Sequence, residues 1–112
     1  MTQDALNTRW VEVASVDDVP EGEVIGVTVE GHEIALYHLP DGSFHATANI
    51  CTHGQALLSE GWLADDCMIE CPLHAGCFDI RTGKGMGPPI EEDLQTYRLR
   101  REGDALLVEI PD

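Results

Sequence analysis

The stretch VIGVTVEGHEIALYHL, residues Val24–Leu39, holds two runs rich in β-branched and aliphatic residues, broken at Glu30-Gly31. Successive side chains on a strand point to opposite faces, so Ile25, Val27 and Val29 share one face. Ile34 and Leu36 do the same in the return run, and Glu30-Gly31 between them predicts a hairpin. Asp41-Gly42 marks a second tight turn, leading into SFHATAN, residues Ser43–Asn49. Near the other end, TYRLRREGDALLVEI, residues Thr96–Ile110, repeats the device around Gly103-Asp104. There Tyr97 and Leu99 face one way, and Arg98 and Arg100 face the other. Short strands with turn signals this frequent predict an all-β, antiparallel sandwich or small barrel. The one candidate helix is a turn or so around Gln55–Ser59.

The length of 112 residues suits one compact domain with its own core, and the hydrophobic fraction of 43% argues against disorder. No apolar run reaches the ~20 residues of a membrane helix. The first residues, MTQDALNTRW, have neither the basic start nor the apolar core of a signal peptide, so a cytoplasmic location is expected. Structural disulfides are not expected there, and cysteines lean instead toward metal binding, catalysis or burial. Twenty-one acids against six bases give a formal charge of −15. That disfavours nucleic acid and anionic membrane as partners, and favours a protein partner with a basic patch.

The middle of the chain, from about Ala48 to Pro89, differs in kind: it is rich in Gly, Cys, His and Pro, whereas the outer segments read as framework. Within it, ICTHGQ (Ile50–Gln55) places Cys51 two residues before His53, and ECPLHAGCFD (Glu70–Asp79) places Cys71 three residues before His74. Each half offers one thiolate and one imidazole from a Gly-containing loop, which points to a metal site with two jaws. A tetrahedral Cys2His2 zinc site is one possibility, but zinc sites usually gather like ligands in pairs. A Rieske [2Fe–2S] centre asks for the mixed arrangement, with two cysteines on one iron and two histidines on the other. The spacings of Cys51, Cys67, Cys71 and Cys77 do not supply the cysteine pattern of a plant-type cluster.

CTHG (Cys51–Gly54) together with CPLHAGCFDIRTG (Cys71–Gly83) resembles the bacterial Rieske-type ferredoxins that serve aromatic-ring-hydroxylating dioxygenases. The resemblance extends to LSEGWL between the motifs and to LQTYRLRREGDALLVEI at the end. It implies one Rieske-type [2Fe–2S] cluster, with Cys51 and Cys71 on the inner iron and His53 and His74 on the outer iron. It implies a Rieske-type antiparallel β-sandwich or small barrel, with a cluster-binding subdomain of loops inserted between framework strands. The framework would be about residues 1–47 and 90–112, and the cluster-binding part about 48–89. It further implies that Gly85–Ile90 (GMGPPI) covers a third side of the cluster. A Pro pair is barred from a central strand and Gly permits close approach, which agrees with a covering loop.

Two departures set the expected chemistry. High-potential Rieske proteins carry a disulfide between the cluster loops, but Ala56 and Leu73 stand at those places here. Those proteins also place a Ser after the second histidine, whereas this chain has Ala75, Gly76 and Cys77. Fewer hydrogen bonds to the cluster sulfurs predict a potential at the low end of the Rieske range, around −150 mV. The resemblance therefore implies a monomeric one-electron carrier, not an enzyme, between an NAD(P)H-dependent flavin reductase and a terminal Rieske non-haem iron dioxygenase. A small Rieske subunit of a nitrite-reductase-type complex is the alternative, and a zinc-stabilised interaction module the more distant one. Glu60, Asp65, Asp66 and Glu91–Asp93 flank the cluster loops as candidate docking acids. Cys67 and Cys77 read as buried thiols, Trp10 and Trp62 as packing residues, and His32, His38 and His45 as surface or core side chains.

Overall fold

The computed structural model describes residues 8–52, 56–65, 68–72, 76–86 and 92–111. Among them the strands are β1 (Thr8–Ser15), β2 (Val24–Val29), β3 (His32–His38), β4 (Phe44–Ala48), β5 (Trp62–Asp65), β6 (Met68–Glu70), β7 (Cys77–Asp79), β8 (Thr96–Tyr97), β9 (Leu99–Glu102) and β10 (Ala105–Pro111). They form three sheets: a first in the order β1-β10-β9, a second in the order β2-β3-β4-β8, and a third in the order β5-β6-β7. Every strand pair within them is antiparallel.

The hairpins fall where the turn chemistry put them. Val29 pairs with His32 across Glu30 (φ 53°) and Gly31 (φ 87°). A two-residue loop with both φ values positive matches the twist of the flanking strands; Gly31 adopts it without penalty, and Glu30 pays roughly 1 kcal/mol. Glu102 pairs with Ala105 across Gly103-Asp104, a two-residue loop in which Gly103 alone has a positive φ (62°). The turn after β3 is longer: Leu39 N donates to Ser43 O (2.8 Å) and Gly42 N to Leu39 O (2.9 Å).

β3 is the centre of the molecule. Ile34, Ala35, Leu36 and Tyr37 are all fully buried, so this strand is apolar on both faces. Ile34 and Leu36 pack with Leu106, Val108 and Ile110 of β10, closing a core between the first and second sheets. Ala35 and Tyr37 point the other way, into a second core with Leu58, Ile69 and Phe78 against the third sheet. The second sheet is thus the middle of three layers. β8 belongs to it and β9 to the first sheet, with only Arg98 between them, so one extended segment turns a barrel-like corner.

The all-β, antiparallel expectation holds, and the helical one is corrected. In place of a turn of helix around Gln55–Ser59 there is a single 3-10 turn at Leu58–Glu60, and Gln55 lies outside the described residues. Asn49 Oδ1 accepts from Ser59 N (2.8 Å), and Gly61 N closes the turn on Leu58 O (2.9 Å). The backbone is captured from both sides before an α-helical turn can propagate. No helix among the described residues is long and apolar enough to cross a membrane.

Candidate metal centre

Both motif cysteines begin a six-residue loop closed in the same way. Ile50 bridges Leu57, and inside that bridge Cys51 N donates to Ala56 O at 2.9 Å. Glu70 pairs with Cys77 at the ends of β6 and β7, and inside that pair Cys71 N donates to Gly76 O at 2.8 Å. CTHGQA and CPLHAG are therefore closed at like necks, the first at an isolated bridge and the second at the β6–β7 pair. The bond at each neck fixes the cysteine at the base. Cys51 and Cys71 are both buried, 3% and 2% exposed, and belong to one packed group with Leu58, Ile69, Phe78, Ile80 and Leu94. The structure thus brings into one packed group two thiols that the sequence separates by nineteen residues. His53 and His74 fall within the two loops by sequence and lie outside the described residues.

The first neck is held by a polar side chain that sequence reasoning missed. Asn49 is 2% exposed; besides accepting from Ser59 N, its Nδ2 donates to Ser59 Oγ (3.0 Å), and its carbonyl accepts from Leu58 N (2.7 Å). This side chain staples the strand entering the first loop to the turn leaving it. A Cβ on Gly26 would fall 2.7 Å from Asn49 Nδ2, which explains the glycine inside β2. The available signal was an Asn at the end of a strand, directly before the Ile50-Cys51 pair.

A third segment approaches the same place. Met86 N donates to Cys77 O (2.9 Å), Leu94 N to Gly83 O (2.6 Å) and Gly85 N to Asp93 Oδ1 (3.0 Å). Thr52, the neighbour of Cys51, donates its hydroxyl to Glu92 O at 2.9 Å. Of the expected covering loop Gly85–Ile90, residues Gly85 and Met86 are described, and residues 87–91 lie outside. The two ends of that segment are fastened, one to β7 and the other to the first cysteine loop. A Cβ on Gly83 (φ 80°) would overlap the Leu94 carbonyl oxygen, and one on Gly61 the Glu70 carbonyl oxygen. These glycines let the backbones around the two loops pack without a gap.

Several secondary expectations change. Cys77 is half-buried on the third sheet, not fully buried, and Cys67 lies outside the described residues, as do Asp66 and Glu91. Trp62 is not a packing residue: it is 50% exposed. Trp10 instead lies beneath two guanidinium groups, Arg100 at 4.5 Å and Arg98 at 5.8 Å from its ring centre. The three histidines outside the motifs have framework partners. His38 Nδ1 lies 2.8 Å from Val19 O and its ring stacks on Phe44, His32 meets Tyr97 edge-on, and His45 Nε2 lies 2.9 Å from Ser43 Oγ. Burial lowers the His45 pKa, against the opposing pull of Asp41. Hydrogen bonds from Ser43 hold Asp41 below the usual carboxylate range.

The Rieske [2Fe–2S] domain model matches residues 9–98. The chain belongs to the Rieske [2Fe–2S] family. It is 44% identical over 105 residues to the ferredoxin component of the naphthalene 1,2-dioxygenase/salicylate 5-hydroxylase systems of a Ralstonia species, covering 94% of this chain and 99% of the relative. A ferredoxin from Sphingomonas yanoikuyae B1 superposes with a TM-score of 0.85 at 35% identity, over 92% of this chain and 100% of that one. A solved complex of reduced oxygenase and oxidized ferredoxin in carbazole 1,9a-dioxygenase matches with a TM-score of 0.81 at 35% identity, over 88% of this chain and 91% of that one. As a Rieske domain the chain carries one [2Fe–2S] cluster. The donor chemistry fits the group: two cysteines at the bases of loops with like necks sit in apolar surroundings. An unpaired thiolate would be costly there, and bonding to iron relieves that cost.

Proposed function

We propose that this protein is the one-electron carrier of a multicomponent aromatic-ring dioxygenase system, taking electrons from an NAD(P)H-dependent flavin reductase and delivering them to a terminal Rieske non-haem iron oxygenase. The observation that carries this reading is the 44% identity, over nearly the full length of both chains, with a dioxygenase ferredoxin component, joined to the paired cysteine necks. The matched complex of an oxygenase with a ferredoxin supports the direction of delivery. The cluster supplies a one-electron couple. In this reading Cys51 and Cys71 hold its inner iron, His53 and His74 hold its outer iron, and Gly85–Ile90 covers a third side. The whole chain then acts as one Rieske domain, with residues of about 1–47 and 90–112 as framework and about 48–89 around the cluster. It works as a cytoplasmic monomer without nucleic acid or membrane, and its acids meet basic patches on both redox partners.

The test is an iron and acid-labile sulfide assay on anaerobically purified protein, followed by EPR of the reduced form and stopped-flow reduction by a flavin reductase with NADH. Equal iron and sulfide, a reduced-state signal with the low average g of a histidine-ligated cluster, and rapid electron delivery to a ring-hydroxylating oxygenase are expected. Zinc without sulfide, or a reducible cluster that no oxygenase accepts electrons from, would overturn the proposal.

A further inference from the structure

Charge is unevenly divided among the three layers. Residues 8–15 and 96–111, which supply all of the first sheet together with β8, hold four acids (Glu12, Glu102, Asp104, Glu109) and four bases (Arg9, Arg98, Arg100, Arg101). Their net charge is zero. Residues 16–95 hold fifteen acids against only Arg81 and Lys84, a net charge of −13; within them residues 60–86, the third sheet with its connections, hold five acids (Glu60, Asp65, Asp66, Glu70, Asp79) and both bases, a net charge of −3. The outer face of the first sheet is also tied into a fixed network. Arg98 and Arg100 lie over Trp10, Arg98 Nη1 is 3.5 Å from Glu109 Oε1, Glu109 Oε2 accepts from Thr8 Oγ1 (2.9 Å), and Arg100 Nε is 2.9 Å from Glu102.

The opposite outer face has another character. Leu63, Ile69 and Phe78 pair across the third sheet and point inward to the cysteine core. Alternation therefore turns Trp62, Glu70 and Cys77 outward in one cross-strand row. Met86, whose N–H donates to Cys77 O, extends that row by one position. Glu70 and Cys77 immediately flank the second cysteine loop. Trp62 and Met86, at the two ends of the row, are 50% and 49% exposed; with Ile50 they are the exposed large hydrophobic side chains of the described residues.

We propose that a cationic protein surface with an apolar centre docks on this Trp62–Glu70–Cys77–Met86 row, and that the arginine–tryptophan face of the first sheet, whose strands carry no net charge, is the one such a partner avoids. Stacked sheets lie about 10 Å apart, so the two outer faces are separated by about two layer spacings, or ~20 Å. At 0.1 M salt the screening length is about 10 Å, so a partner at one outer face scarcely senses charge at the other. Local charge decides: the third sheet with its connections, at −3, attracts a basic surface, and the strands of the first sheet, at zero, do not. A half-exposed Trp at one end of the row and a long flexible Met at the other then offer the kind of anchors that dominate interface energies. The partner's identity as a redox protein rests on the carrier reading, whereas the polarity of the chain does not.

The experiment is hydroxyl-radical footprinting of the cluster-loaded protein with poly-L-lysine at about 0.1 M salt, where the two faces are screened from each other, read residue by residue by mass spectrometry. Trp62 and Met86 should lose several-fold in oxidation rate while Trp10 does not change, and high salt should abolish the difference. Equal protection of Trp10 and Trp62, or none of either, overturns the proposal. In an Arg98→Glu/Arg100→Glu variant Trp10 should become protected as well; a Trp10 still unprotected there would mean that charge is not what spares it, and would also overturn the proposal. For the apolar centre, the probe is a terminal oxygenase that accepts electrons from the wild type. Trp62→Ala should raise the KM for the ferredoxin about tenfold with cluster absorbance unchanged, whereas Trp10→Ala should not. Equal KM values overturn that half. An oxygenase that takes no electrons from the wild type counts against the carrier reading instead, and the footprint still judges the docking face.

Discussion

The two cores on either side of β3 are built from different materials. The core between the first and second sheets is aliphatic almost throughout: Ile34 and Leu36 from β3 meet Leu106, Val108 and Ile110 from β10. The core between the second and third sheets includes both cysteines, the Tyr37–Thr47 hydroxyl pair at 2.8 Å, and the Asn49 staple beside it. It also depends on glycines at Gly61 and Gly83, where a methyl group would strike a carbonyl. The first core stabilises by area alone, which is forgiving of shape. The second must place backbone atoms closely enough to bring two loops together, so it relies on directional bonds and on missing side chains. One strand serves both because its two faces alternate.

This division can be broken at its strongest point first. Cys71→Ser should leave the purified protein nearly devoid of iron and sulfide, because it removes one of the two thiolates at the loop bases. Retention of wild-type iron would show that the cysteine pair is not the ligand set. On the other side of β3, Leu106→Ala should cost about 2–5 kcal/mol of stability by opening a cavity in a fully buried site. Denaturant unfolding would measure it, and the visible spectrum of the folded fraction should not change. A shifted spectrum would mean that the two cores are not separable.

Gly83→Ala probes the seam itself. Overlap with the Leu94 carbonyl and the positive φ should together cost about 1–3 kcal/mol and speed cluster loss on mild heating. A half-life equal to wild type would show that the third segment yields freely. The smallest effect belongs to the framework. Burial lowers the His45 pKa, so the folded protein binds that proton less readily than the unfolded chain. Stability must then fall as pH drops through the ordinary histidine range and level off below the depressed value. Compared with His45→Gln, the wild type should lose Tm advantage as pH falls through the ordinary histidine range. A pH-independent difference would place the burial effect elsewhere.

Much of the fold was legible because its signals are local. Glu30-Gly31 and Gly103-Asp104 specify hairpins through turn geometry, and alternation in β2, β3 and β9 assigned faces that the packing bears out. The helix around Gln55–Ser59 was misjudged because tertiary capture by Asn49 overrides a weak local preference. Trp62 was misplaced because hydrophobicity predicts burial only on average, and its strand has only one inward face. At the candidate site, Cys51 and Cys71 stood out by spacing, whereas Thr52 and Asn49 did not, since a hydroxyl or an amide acquires its role only when a distant partner arrives.

By itself the sequence determined the strand-and-turn character of the chain, its excess of negative charge, and a pair of Cys/His motifs too specific in spacing to be incidental. Those properties reside in neighbouring residues or in simple sums. Only the tertiary structure decided that the necks of the two cysteine loops close alike and that both cysteines share one core, that β3 divides that core from an aliphatic one, and that the strands without net charge form one outer sheet. The physical reason is common to all three. Register and layer order are set by which faces can be buried together, and that depends on the whole set of strands at once.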